Sequence, residues 1–277
     1  MSILSAVLLG VIQGVAEFLP ISSSGHLAIA QNLLGLKIEG STDNTFDILL
    51  HLGTLIAVFI AYWPDIKDMI REFFLGIHDL AKGTTPTPVP PNRRMILLII
   101  IGTLPLFAVV PIKDFVEGLS ANTVVVGCAL LVTGVLLFFS DRHNRGRKNA
   151  GSVRLRDVLI VGIAQAFATV PGLSRSGTTV SVGCFLGMDR RFALRYSFLM
   201  SIPAILGANI LSLKDTLQTG IDPALIPAYI SGVVTAAVLG YLSIRLLKLI
   251  TDKGKFGAFA YYCWVVGGLT IVASLIL

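Results

Sequence analysis

Glu17, Ser22, Ser23, Ser24 and His26 stand within ten residues of one another in EFLPISSSGH, and Ser174, Arg175, Ser176 and Thr179 share the stretch PGLSRSGTT. Apolar sequence flanks both. A carboxylate or imidazole can take a proton, a serine hydroxyl or a water can attack, and a guanidinium grips phosphate oxygens with a two-pronged fork. Ser23 and His26 are three apart and share a face once a helix has started, so the imidazole is expected to act on that hydroxyl or on a water beside it. Gln13 and Glu17, four apart, stack on one face of the helix before the turn. Ser23 or Ser24, and Ser174 or Ser176, are expected at helix N-caps, with Ser22, Gly25, Gly177 and Thr179 completing a phosphate-binding set. Free amides and the positive dipole end at such helix starts attract phosphate. The candidate catalytic residues are therefore Glu17, Ser23, His26 and Arg175, with the nucleophile left open between Ser23, His26 and water.

The rest of the chain must hold these groups inside a membrane. Apolar residues make up 54% of 277 and charged residues 14%, against roughly 25% charged in soluble domains. Mean hydropathy is +0.82. A polytopic membrane protein follows, and the net charge of +6 is assigned to membrane orientation rather than to nucleic acid. The first residues lack the basic leader and small-residue cleavage site of a secretory signal, so they are expected to be retained. Cys128, Cys184 and Cys263 sit singly in apolar segments and are expected to pack in the core.

Six stretches are long and apolar enough to cross a bilayer: 46–62, 95–111, 123–139, 196–213, 224–244 and 258–277. Two further regions, 2–35 and 157–188, are apolar pairs broken by the polar clusters. These two regions superpose at an offset of 152, pairing Gly10 with Gly162, Gln13 with Gln165, Ser22 with Ser174, Ser24 with Ser176, Gly25 with Gly177 and Gly35 with Gly187. Each half thus holds an interrupted pair and three crossings. Three being odd, the halves insert in opposite senses, which predicts an all-α inverted repeat of a re-entrant hairpin plus three spans, over about 1–140 and 153–277. Eighteen of the twenty-two basic residues fall in the loops 63–94, 140–157, 188–195 and 245–256, with Lys37, Lys113 and Lys214 on the other face and Arg175 in the second cluster. The basic face is predicted to be cytoplasmic. Residues 78–94, rich in proline, are expected to form a cytoplasmic loop. Asp47 and His51 are assigned to an interfacial polar face, and His78 and His143 to loops without a role.

QGVAEFLPISSSGH and PGLSRSGTT, in this order in a chain with eight apolar regions, resemble the two signatures of the undecaprenyl-diphosphate phosphatases, the bacitracin-resistance family. The resemblance implies a multi-pass enzyme of the bacterial inner (plasma) membrane. It would release the terminal phosphate of undecaprenyl diphosphate, regenerate the lipid carrier of cell-wall synthesis and confer bacitracin resistance. The entry of the first cluster, opposite the basic face, favours a site open to the outside. The resemblance also implies a divalent cation, Mg2+ or Ca2+, with Glu17 as the principal acid and Gln13 at a motif position that accepts Glu or Gln. His26, Ser23, Ser174, Arg175, Ser176 and Thr179 fall on other motif positions. Partners are then a polyprenyl diphosphate and membrane lipids, with no nucleic acid, and a homodimer stays open. Type 2 phosphatidic-acid phosphatases share the Ser-Gly-His turn but need a later histidine, and none follows Arg175. The rival is a transporter of the polyprenyl phosphate carrier, since inverted repeats with broken helices also build transporters.

Overall fold

A computed structural model describes residues 2–33, 35, 43–84, 86–143, 146–219 and 223–276, without the side chains of 43, 44 and 211–219. Of the loop cations counted above, Lys37, Arg145 and the side chain of Lys214 lie outside this set. The described residues form twelve α-helices and short 3-10 turns, with no strand among them. The protein is an all-α, multi-pass membrane protein.

Both interrupted regions fold as pairs of short helices. They are α1 (Ile3–Ala16) with α2 (Ser23–Leu33), and α8 (Leu155–Phe167) with α9 (Arg175–Phe185). None exceeds 14 residues, short of the roughly 17 that cross a hydrocarbon core. The longer helices are α3 (Asp43–Ala61), α7 (Thr123–Arg142), α10 (Arg190–Thr219), α11 (Ile226–Asp252) and α12 (Ala258–Ile276). α5 (Pro91–Thr103) gives way to 3-10 turns before the short α6 (Lys113–Gly118), because Pro105 and Pro111 lack the N–H that an α ladder needs. The segment 95–111 is therefore α-helical only over its first half.

One expectation is corrected outright. Residues 63–94 are not a loop: α4 spans Trp63–Ala81, bent by 81° from α3, and Pro91 already begins α5. Pro64 in the first turn preorganises the start, and Asp65 complements the dipole there. The connector shrinks to 82–90.

Small residues set the packing. A Cβ on Gly10 of α1 would lie 2.6 Å from the Gly232 carbonyl of α11, and one on Gly162 of α8 would collide with the Gly102 carbonyl of α5. Gly127 of α7 and Gly267 of α12 face each other reciprocally: a Cβ on either would lie 2.9 or 2.8 Å from the other's carbonyl. Backbones approach this closely where no side chain intervenes, and dispersion and weak polar contacts then hold helices together in lipid. Further contacts join α3 to α11, α5 to α10, and α3 to α10. The outward faces are apolar, as in the exposed α11 stripe of Ile230, Val234, Val238, Leu242 and Leu246, which suits a hydrocarbon solvent. Cys184 and Cys263 are buried as expected, whereas Cys128 is exposed.

Candidate active site

Each hairpin turn is shaped by a serine cap. Ser22 holds φ +70, rare for a residue with a Cβ, and its Oγ accepts from the Gly25 amide at 3.2 Å. Ser174 accepts from the Gly177 amide at 3.1 Å, and Gly172 supplies the left-handed φ of +94. The caps are thus Ser22 and Ser174; Ser23 and Ser24 lie inside the first turn of α2, as Arg175 and Ser176 do in α9. Ser24 and Ser176 each sit 3.3 Å from the capping hydroxyl of their own turn. The Gly25 and Gly177 amides, expected to meet phosphate, are engaged by the caps instead. The amides of Ser23, Ser24, Arg175 and Ser176 precede the first intrahelical bond and stay available as donors.

The turns touch tip to tip. A Cβ on Gly25 would lie 2.9 Å from Gly172 Cα, and one on Gly177 would lie 3.3 Å from Pro20 Cβ. Phe18, fully buried and edge-on to Phe198 at 5.5 Å, anchors the first turn beneath this contact. Thr133 of α7 anchors the second by donating to the Gly172 carbonyl at 3.2 Å and accepting from the Ser174 amide at 3.0 Å.

Between the tips lies Glu17. Its Oε1 accepts from Arg175 Nη2, and its Oε2 accepts from Ser23 Oγ at 2.5 Å and from Gln13 Nε2 at 3.2 Å. Glu17 and Ser23 are buried, while the Arg175 side chain keeps 23% of its surface open. Ser23 and Arg175 occupy the same position of the two superposed hairpins, so one residue site supplies a hydroxyl in one half and a guanidinium in the other. Among O–H···O contacts, 2.5 Å is at the short end expected for a carboxylate acceptor.

Three sequence assignments change. His26 does not meet Ser23: its Nδ1 lies 2.8 Å from the Ser22 carbonyl and its Nε2 lies 2.9 Å from the Tyr262 hydroxyl of α12. A carbonyl only accepts, so Nδ1 carries the proton and Nε2 presents its lone pair to the tyrosine O–H. The i to i+3 spacing put His26 on the face of Ser23, but Ser22 offered a nearer, fixed acceptor. Thr179 turns away from the tips to Ser197 Oγ at 2.6 Å and its own helix carbonyl at 2.8 Å. Thr179 therefore ties α9 to α10 rather than facing phosphate. His51, assigned to an interface, places Nε2 3.8 Å from Glu17 Oε2, its Nδ1 held by the Asp47 carbonyl at 2.7 Å. The i to i+4 pairing with Asp47 was visible in the sequence, but the inward direction was not. Tyr262 carried no such signal.

The oxygen atoms here are of the type a hard cation would take. The Gln13 Oε1 is buried without a hydrogen-bond partner beside the Glu17 carboxylate. No group of three or more His, Cys, Asp or Glu that could hold a metal exists among the described residues. One carboxylate and one amide oxygen suit Mg2+, which keeps waters and takes phosphate oxygens.

The pattern of the family described as bacitracin resistance protein BacA matches residues 6–269. A protein of Methanosphaera stadtmanae described as undecaprenyl-diphosphatase is 41% identical over 282 residues, covering all of both chains. Proteins under the same description from Halothermothrix orenii and Syntrophotalea carbinolica are 41% and 42% identical, each covering 99% of this chain and 99% and 100% of its own.

Proposed function

The chain belongs to the bacitracin resistance protein family, and on that premise we propose that it is a membrane hydrolase that converts undecaprenyl diphosphate to undecaprenyl phosphate and inorganic phosphate. The observation that carries this reading is the meeting of Glu17, Ser23 and Arg175 between two opposed helix starts. A proton acceptor, a hydroxyl and a permanent cation sit together where amides converge, an arrangement suited to phosphoryl transfer.

The isoprenoid tail stays in lipid while the diphosphate reaches the tips. Arg175 and the amides of both helix starts neutralise the terminal phosphoryl group. Ser23 Oγ attacks its phosphorus in line, passing its proton to Glu17 as the bridging P–O bond breaks and undecaprenyl phosphate leaves. A water then attacks the phosphoserine, giving one proton to Glu17 as Ser23 recovers its own, and inorganic phosphate departs. His26 stays fixed beside the first turn, its Nδ1 on the Ser22 carbonyl and its Nε2 lone pair engaged by the Tyr262 hydroxyl. Glu17 and Gln13 Oε1 would hold Mg2+ or Ca2+, which when bound offsets phosphate charge.

The two halves act as an inverted repeat, supported by paired contacts: α1 on α11 with α8 on α5, α3 on α11 with α10 on α5, and α7 on α12 about Gly127 and Gly267. The tips obey the same relation, Gly25 meeting Gly172 as Gly177 meets Pro20. The basic face lies toward the cytoplasm, which turns the site outward in the bacterial inner membrane. The same symmetry supports a second reading, a transporter of the polyprenyl phosphate. Purified protein in detergent separates the two, since no second compartment exists there. Release of inorganic phosphate from undecaprenyl diphosphate, lost in Arg175→Ala, is expected; intact substrate after prolonged incubation refutes hydrolysis.

A further inference from the structure

α4 has no part in the chemistry above, yet three of its acidic residues face the protein while Asp68 and most of its large apolar residues are exposed. Its acidic edge is clamped to the protein: Glu72 and Asp79 pair with Arg93 of α5 at 3.2 and 2.8 Å, and Asp65 pairs with Arg195 of α10. Ile66 and Met69 are buried on the same side. This fixes the rotation of the helix about its axis. Trp63, Ile70, Phe74 and Ile77, all at least 48% exposed, then share an arc of about 60° pointing away from the protein. Lys67 and Arg71 border that arc, exposed and with no acidic partner among the described residues.

α3 and α4 pass as a membrane span only together, as a pair bent by 81°; with the 19-residue α3 as the crossing limb, the bend lays α4 close to the membrane plane. The apolar arc faces hydrocarbon and the two cations stand at headgroup depth, the pattern of an interfacial helix. In the elbow between α3 and α4, Phe59, Ile60 and Trp63 line a shallow, open apolar depression of about 350 Å3. Lys67 follows Trp63 by one helical turn. An apolar depression with cations one and two helical turns along α4 from Trp63 fits a lipid with an acyl chain and a negative headgroup.

We propose that the α3–α4 elbow binds an anionic phospholipid, one acyl chain against Phe59, Ile60 and Trp63 and the headgroup on Lys67 and Arg71. The chain has two tryptophans, so Trp264→Phe leaves Trp63 as the sole reporter. In nanodiscs, Trp63 emission is measured with chain-brominated phosphatidylglycerol or chain-brominated phosphatidylcholine diluted into unbrominated lipid. Each basic residue near a membrane surface favours anionic lipid by roughly fivefold, so half-maximal quenching should need about 5- to 25-fold less brominated phosphatidylglycerol. Lys67→Gln with Arg71→Gln should erase the headgroup preference while either brominated lipid still quenches. Where Trp264→Phe fails to fold, the difference between the parent and Trp63→Phe gives the same signal. Equal quenching by both headgroups in the parent overturns the proposal, as does a Trp63 that neither lipid quenches. Efficient cross-linking of Lys67→Cys between two copies in the same nanodiscs also overturns it, since a second chain would then occupy the elbow. None of these readings depends on phosphate release.

Discussion

Glu17→Gln tests the assignment of the base most sharply, because the amide keeps the volume of the side chain and one acceptor oxygen while removing the charge and the proton affinity. Oε2 now receives Ser23 at 2.5 Å and Gln13 at 3.2 Å; an amide can hold Ser23 in place but cannot take its proton. Loss of a positioned base lowers turnover by about 10²- to 10⁴-fold. Binding should move the other way. A unit negative charge about 5 Å from a phosphate opposes it by up to about 3 kcal/mol at an effective dielectric of 20, so removing it leaves KM unchanged or lower. Folding is affected little: Arg175 is partly open and can still donate to the amide oxygen, so the loss should be about 1–2 kcal/mol rather than the 3–5 of a fully broken buried pair. Steady-state phosphate release across substrate concentrations, with thermal unfolding in the same detergent, separates these quantities. A kcat within tenfold of the parent, or a loss confined to KM, would show that Glu17 binds rather than accepts a proton.

Ser23→Ala should abolish any covalent phosphoserine trapped by acid quench, and its loss should not add to that of Glu17→Gln, since the two act as one unit. Gly25→Ala drives a Cβ to 2.9 Å from Gly172 Cα; overpacking of this kind costs roughly 1–3 kcal/mol, and parting the tips should lower turnover more than tenfold. Gly207→Ala, with nothing within 4 Å of the added methyl, should leave the melting temperature equal or higher. Tyr262→Phe removes the hydroxyl from His26 Nε2 and should lower kcat by about three- to tenfold, an effect that vanishes when measured on top of His26→Ala.

The sequence alone determined that this chain lives in lipid, because 54% apolar residues in stretches of bilayer length leave few other solvents for it. It also picked out the two polar clusters that the fold brings together. Glu17 and Arg175 were conspicuous because charge inside apolar sequence is expensive without a purpose, and the 152-residue offset set their two hairpins in register. Spacing along one helix, however, fixes only which residues share a face. The tertiary structure decided where each face points: Ser23 toward Glu17 and not His26, Thr179 toward Ser197, and His51 inward from a helix that pattern alone had left at the interface. Those partners sit on other helices, brought near by glycine contacts such as Gly25 on Gly172, which no local periodicity encodes. α4 was legible in principle, its apolar residues three and four apart, but a search for spans of bilayer length passes over a helix whose apolar arc covers one side only. Only its 81° bend and its clamped acidic edge fixed the direction in which that side points, away from the rest of the protein.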